Sequence, residues 1–82
     1  MSKLTDYLRK RRKELGMTQF ELSQLLNLSD GAVAKYETED RIPRLEVLLK
    51  YSRVYHVSIY KLVDLRIEDI KEGETNDVNK NS

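Results

Sequence analysis

Eighty-two residues with 39% apolar side chains, one proline, three glycines and no cysteine suffice for one compact domain and leave no room for a second core. The missing cysteine excludes a disulfide framework and thiolate metal sites, so stability falls to helix packing and to any partner subunit. No apolar run approaches the ~20 residues that span a bilayer, and Met1 to Lys10 lacks the apolar stretch of a signal peptide, so the expected setting is soluble, reducing and cytoplasmic.

The summed charge of +1 conceals an asymmetry. Residues 1–66 carry 13 Lys and Arg against 9 Asp and Glu, a net of +4, whereas residues 67–82 carry 2 against 5, a net of −3. A positive body beside an acidic end is compatible with a nucleic-acid partner. Position matters more than the total, because Arg9-Lys10-Arg11-Arg12-Lys13 packs its cations into little more than one helical turn.

The first periodic segment runs Leu4 to Leu15, with Leu4, Leu8 and Leu15 near one stripe and basic side chains around much of the remaining circumference. Ser2 or Thr5 supplies its N-terminal cap, and Gly16 offers the left-handed position that ends it. A second helix is expected after Thr18, whose hydroxyl caps while Glu21 completes a capping box and Met17 stands as the staple residue. Leu22, Leu25 and Leu26 give its burying face, and Asn27 tolerates a left-handed turn. Only Leu28 and Ser29 then separate it from a third helix, capped by Ser29, with Val33 and Tyr36 inward and Asp30, Gly31, Ala34 and Lys35 outward.

Thr38 to Ile42 reads as a loop, and Pro43 suits the entrance of a fourth helix carrying Leu45, Leu48, Leu49, Tyr51, Ser52 and Tyr55 to an end near His56. Ser58 caps a last short helix with Ile59, Leu62, Val63 and Leu65. The expectation is therefore an all-α, five-helix domain over residues 1–66. Residues 67–82 form an acidic polar tail with too little apolar surface to offset its ordering entropy, expected to be mobile.

A short helix presented outward enters the ~12 Å major groove of B-DNA when a second helix holds it at the right angle. Gln19, at the start of helix two, is placed to grip a phosphate, the alternative being capping or plain exposure. Lys35 reaches guanine O6 and N7 or falls back on phosphate, or is a solvated surface lysine. Asp30 accepts from cytosine N4, although an acid in a first helical turn is favourable through the dipole alone. Gly31 and Ala32 allow close approach, with Ala32 able to touch a thymine methyl, and Thr38, Arg41 and Arg44 flank the loop as backbone contacts. Arg12 falls close to the Leu8 and Leu15 stripe, where a guanidinium needs a carboxylate partner, and Glu37 serves if helix three ends beside helix one.

Catalysis finds no constellation here. His56 is the only histidine and its place at a helix end favours packing, capping or exposure. The carboxylates are scattered without metal-ligand geometry, so no metal or cofactor is expected. The helical spacing of Tyr7, Tyr36, Tyr51, Tyr55 and Tyr60 favours core or interface positions over base stacking.

Met17-Thr18-Gln19-Phe20-Glu21-Leu22-Ser23, Asn27-Leu28-Ser29, Val33, Tyr36-Glu37, Pro43, Leu48-Leu49-Lys50 and Val57-Ser58 together resemble the phage-repressor or Cro/C1-type helix-turn-helix family, the XRE-like transcriptional regulators. The likeness covers about residues 4 to 65. Asn27, Glu39 and His56 stand where that family commonly has glycine, and Asn and His tolerate the positive φ. The resemblance implies phosphate gripping at Gln19 and Ser29 and base reading centred on Asp30, Gly31 and Lys35. It further implies contacts at Ala32, Thr38 and Arg44, and a structural Arg12–Glu37 ion pair.

It also implies a bacterial or phage-encoded repressor of double-stranded DNA, acting as a homodimer on a palindromic operator. The apolar Ile59, Leu62, Val63, Leu65 and Ile67 are the expected dimer interface. The alternative is a protein-interaction module, antitoxin-like or regulator-binding, that uses the same helices to hold a protein partner; the acidic tail fits this reading or a role in limiting non-specific DNA binding.

Overall fold

The computed structural model describes residues 2–39 and 41–81, with side chains described as far as residue 72. The chain is helical throughout its described elements: α1 (Lys3–Glu14), α2 (Gln19–Leu25), α3 (Ala32–Thr38), α4 (Leu45–Tyr55) and α5 (Ile59–Asn81). α1 packs on α3 and α5, α2 on α3, and α4 on α5. Every helix contributes to one core made of Leu4, Leu8, Leu22, Leu26, Val33, Leu48, Tyr51, Tyr55 and Leu62. Full burial of such side chains is worth about 1.5–3 kcal/mol each, the only source large enough to hold helices of seven residues that are marginal in isolation.

Local sequence chemistry sets the helix ends. Ser2 caps α1, its hydroxyl accepting the Thr5 N–H at 3.0 Å. Gly16 then turns the chain at φ 72°. Thr18 and Glu21 close a capping box on α2, each side chain accepting the other's backbone N–H at 3.0 Å. Asn27 and His56 take left-handed backbones at φ 56° and 54°, ending α2 and α4 without glycine. At the start of α5 the Ser58 hydroxyl accepts the Tyr60 N–H.

Several expectations change. Leu25, Leu45 and Leu49 are exposed, at 59%, 59% and 39%: spacings of three and four cover a wide arc of a helix, and only part of that arc meets the core. Ser29 does not cap α3 through its side chain; the helix begins two residues later, with Gly31 as its N-cap. Tyr51 and Tyr55 are core residues in edge-to-face contact at 5.3 Å, and Tyr55 donates to the Leu8 carbonyl at 2.8 Å. Burial pushes both phenols above their usual range. Tyr60, by contrast, is 77% exposed.

The largest departure is α5, which continues well beyond the short helix expected and carries the beginning of the acidic segment with it. Its first acidic residues are held against α1 by long-range capping. The Asp69 carboxylate accepts the Lys3 and Leu4 backbone N–H groups at 2.9 and 3.3 Å, and Lys3 Nζ lies 2.9 Å from Glu72 and 3.8 Å from Glu68. Residues 67–72 are thus fastened to α1 rather than loose; the rest of the expected mobile tail concerns side chains outside the described residues. Hydrogen bonding and attraction from Glu72, with Glu68 adding to them, hold the Lys3 ammonium above its usual pKa.

Two outcomes follow for the 82-residue chain. Asp69→Ala removes the acceptor of two first-turn amides and is expected to cost about 1 kcal/mol, lowering the thermal midpoint by roughly 5 °C; Asp69→Asn, which keeps an acceptor oxygen, retains most of that stability in the same circular-dichroism melt. Glu21 is held below the usual carboxylate range by the Thr18 backbone N–H and then its hydroxyl. Its contribution is present above the ordinary glutamate pKa of about 4.3 and is lost as pH falls through the lower folded value. In urea titrations on the acid side, Glu21→Gln should flatten that decline while keeping its hydrogen bond to Thr18.

Candidate nucleic-acid interface

α2 and α3 are joined by a turn whose geometry comes from backbone bonds. The Asn27 N–H donates to Gln24 O, the Leu28 N–H to Ser23 O and the Ala32 N–H to Ser29 O, each at 3.0 Å. Ser23, completely buried, completes the joint: its hydroxyl donates to Gln19 O at 3.0 Å and accepts the Val33 N–H at 3.2 Å. Gly31 has no side chain with which to cap α3, so a first-turn amide of α3 is capped from α2 instead. Ser23 was not foreseen as part of the site. The signal available for it is a small hydroxyl four residues after Gln19 and next to Leu22, on the buried side of a short helix.

Beneath α3 lies one ion pair. Arg12 Nε and Nη2 donate to the two Glu37 carboxylate oxygens, both at 2.8 Å, with the side chains 10% and 3% exposed. A further Arg12 nitrogen donates to Met17 O at 2.7 Å. Gln19 Nε2 donates to the same Glu37 carboxylate at 3.1 Å. The side chain expected at a phosphate is therefore held from below, and its amide nitrogen carries a second hydrogen.

The outward side of α3 is small and sparsely occupied. Ser29, Asp30, Gly31, Lys35 and Thr38 are exposed, and nothing lies within 4 Å of the place a Gly31 Cβ would take. Asp30 accepts from Gln24 Nε2 at 2.7 Å, a contact that sequence spacing alone did not reveal. Among the described residues Lys35 enters no ion pair. Thr38 donates its hydroxyl proton to Ala34 O at 2.6 Å, which leaves it no proton for a phosphate in this rotamer. Arg41 sits 3.6 Å from Glu39, and Arg44 is the exposed N-cap residue of α4.

Two groups of expected site residues divide on burial. Ala32 is only 9% exposed, which leaves little of its methyl for a base. Leu62 is completely buried in the chain's own core and cannot form an interface; Ile59 and Leu65 pack against that core, while Val63 is half-buried and Ile67 is 41% exposed. Val63 also borders a shallow apolar groove with Ile42, Pro43, Arg44, Leu45, Leu48 and Arg66. Among the described residues no group of three or more His, Asp or Glu side chains is placed to hold a metal ion, and no helix is long and apolar enough to cross a membrane.

An outward helix of seven residues, about 10 Å long, set on a second helix by a tight turn is the geometry of a helix-turn-helix, and the sequence profile described as helix-turn-helix matches residues 8–62. The chain belongs to that family, in its Cro/C1-type or XRE-like branch of DNA-binding transcriptional regulators. Among known proteins it is similar to the HTH-type transcriptional regulator ImmR of Bacillus subtilis (strain 168), with 36% identity over 73 residues. That match covers 89% of this chain and 57% of the relative, so the chain spans little more than half the relative's length. No solved structure matches.

The ion pair sets the stability of this surface. Glu37→Ala leaves a guanidinium buried without its partner and is expected to cost about 3–5 kcal/mol, a large part of the ~5–15 kcal/mol that holds a domain folded. The double variant Arg12→Met, Glu37→Leu, which removes both charges, should recover most of that loss in urea unfolding.

Proposed function

We propose that this chain binds double-stranded DNA sequence-specifically and represses transcription by occupying a palindromic operator as a homodimer. The observation that carries the reading is the outward edge of α3, bare at Gly31 and carrying Lys35 in no ion pair among the described residues, braced from beneath by the buried Arg12–Glu37 pair. Lys35 matches a guanine edge, and Asp30 matches the amino group of cytosine. Gln19 and Ser29 at the joint and Arg41 and Arg44 after α3 supply backbone grip. Repression needs only occupancy, whereas activation needs a correctly placed protein contact.

For the dimer, the apolar surface available is Val63 and Ile67 on α5 together with Ile42 and Leu45 beside the same groove, the latter two 38% and 59% exposed. Reading a palindrome requires two α3 edges to meet half-sites about one helical turn, ~34 Å, apart. Such a protein works where DNA is, in the cytoplasm of a bacterium or a phage-infected cell.

A second reading has one observation behind it. Phe20 and Leu25 are 55% and 59% exposed and border one shallow groove with Met17 on the outer side of α2, a surface suited to a protein partner. Failure to enrich any duplex, alongside tight capture of one protein, moves the function to that surface.

Selection from a random duplex library, followed by titration, tests the main reading. A recovered palindrome supports it. Lys35→Ala should then cost about 1–3 kcal/mol on the selected site and narrow the gap to scrambled DNA, while Arg44→Ala should weaken both duplexes alike and reduce the salt slope by about one. Sedimentation that finds only monomer on the palindromic duplex removes the dimer.

A further inference from the structure

The reading edge of α3 contains an acid, and an acid beside DNA is repelled by every phosphate around it. Asp30 lies in the turn just before α3, exposed, with no cation paired to it among the described residues. Left alone, its side chain would turn toward solvent and away from the duplex. It is not left alone: Gln24, near the end of α2, donates Nε2–H to Asp30 Oδ1 at 2.7 Å, across the tight turn that joins the two helices. Both residues are exposed, so the bond stands on the surface and is not a by-product of core packing.

The chemistry of the tether is specific. A lysine or arginine in place of Gln24 would neutralise the acid and compete for it; a neutral amide fixes one oxygen and leaves the charge intact. A carboxylate accepts through several lone pairs on its two oxygens, so one bond to Gln24 leaves acceptor capacity on both. An acceptor-only group fixed at the major-groove floor favours the exocyclic amino group of cytosine. It is repelled by guanine O6 and N7 and by thymine O4, and on adenine it meets the N7 acceptor beside the N6 donor.

We propose that Gln24 is a positioning residue for base recognition: by holding Oδ1, it keeps the Asp30 carboxylate where it selects a C·G pair in each half-site. This rests on the reading of α3 as the DNA-contacting edge and goes beyond it by naming a residue on α2 that sets specificity without touching a base.

The test is a base-substitution series on the duplex selected by the unsubstituted chain, titrated at two or more salt concentrations with the 82-residue chain and with Asp30→Ala, Gln24→Ala and Gln24→Glu. Asp30→Ala should remove the preference at one pair per half-site. Gln24→Ala should reduce the preference at that same pair by about 2- to 12-fold, the range that one net hydrogen bond sets, with other positions, the salt slope and the melting temperature unchanged. Gln24→Glu, equal in size but placing a second carboxylate beside Asp30, should lose at least as much at that pair. A Gln24→Ala profile identical to that of the unsubstituted chain overturns the proposal, as does an equal loss on every duplex, which would mark Gln24 as a backbone or structural contact. If the unsubstituted chain selects no sequence at all, the proposal falls together with the DNA reading on which it rests, an outcome distinct from a clear motif that Gln24 does not influence.

Discussion

Three donors converge on one carboxylate. Glu37 receives Arg12 Nε and Nη2 and the Gln19 amide, so one buried anion connects α1, α2 and α3. Desolvating this pair is costly, and its Coulombic gain offsets that cost only because the geometry is bidentate and the remaining Arg12 bond goes to a backbone carbonyl at Met17. An apolar substitute of equal volume would serve stability about as well. What it would not supply is the directed hydrogen bonding that ties the last turn of α3 to Arg12 of α1 and Gln19 of α2. The rotation of α3 about its axis decides which of its side chains face outward.

α3 illustrates how little a short outward helix needs of its own. It spans seven residues, begins at a glycine without a side-chain cap, and is too short to persist alone. Ser23 caps it from α2, Val33 anchors it in the core, and Glu37 ties its last turn to α1. Val33 and Glu37 are four apart and face inward, whereas Gly31, Lys35 and Thr38 follow the opposite face. Bracing and exposure are thereby separated on one short element, and outward residues can change without cost to the core.

The contrast between local and distant chemistry explains what was legible in the sequence. Gly16, the Thr18–Glu21 box, Asn27 and His56 announce themselves because each acts within a few residues of where it stands, and the structure places each in its expected conformation. The family resemblance likewise rests on such local spacings, and the five-helix all-α architecture follows from them. Ser23, Gln24 and Asp69 escape notice because their partners lie beyond their own helices, ten, six and sixty-six residues away. Burial within a face fails for the same reason. Leu25 and Leu26 look alike by periodicity, yet one is 59% exposed and the other 1%, because only the packing of α2 on α3 decides which side of the stripe is covered.

Asp69 also changes the meaning of the charge asymmetry. In the sequence the acidic end looks like a detached counterweight to a basic body. In the structure, Glu68, Asp69 and Glu72 gather at the start of α1, where two backbone N–H groups and the Lys3 ammonium answer them. The one ammonium and the two amide dipoles answer that cluster in part, and salt screens what remains of its field within about 8–10 Å. Two exposed acids lie elsewhere, beside the two ends of α3: Asp30 and Glu39. Among the described residues Glu39 is engaged by Arg41, and Asp30 by the neutral Gln24 amide. That bond leaves the Asp30 charge unneutralised, so the carboxylate keeps its repulsion for any anion brought against this edge and its acceptor capacity for any donor.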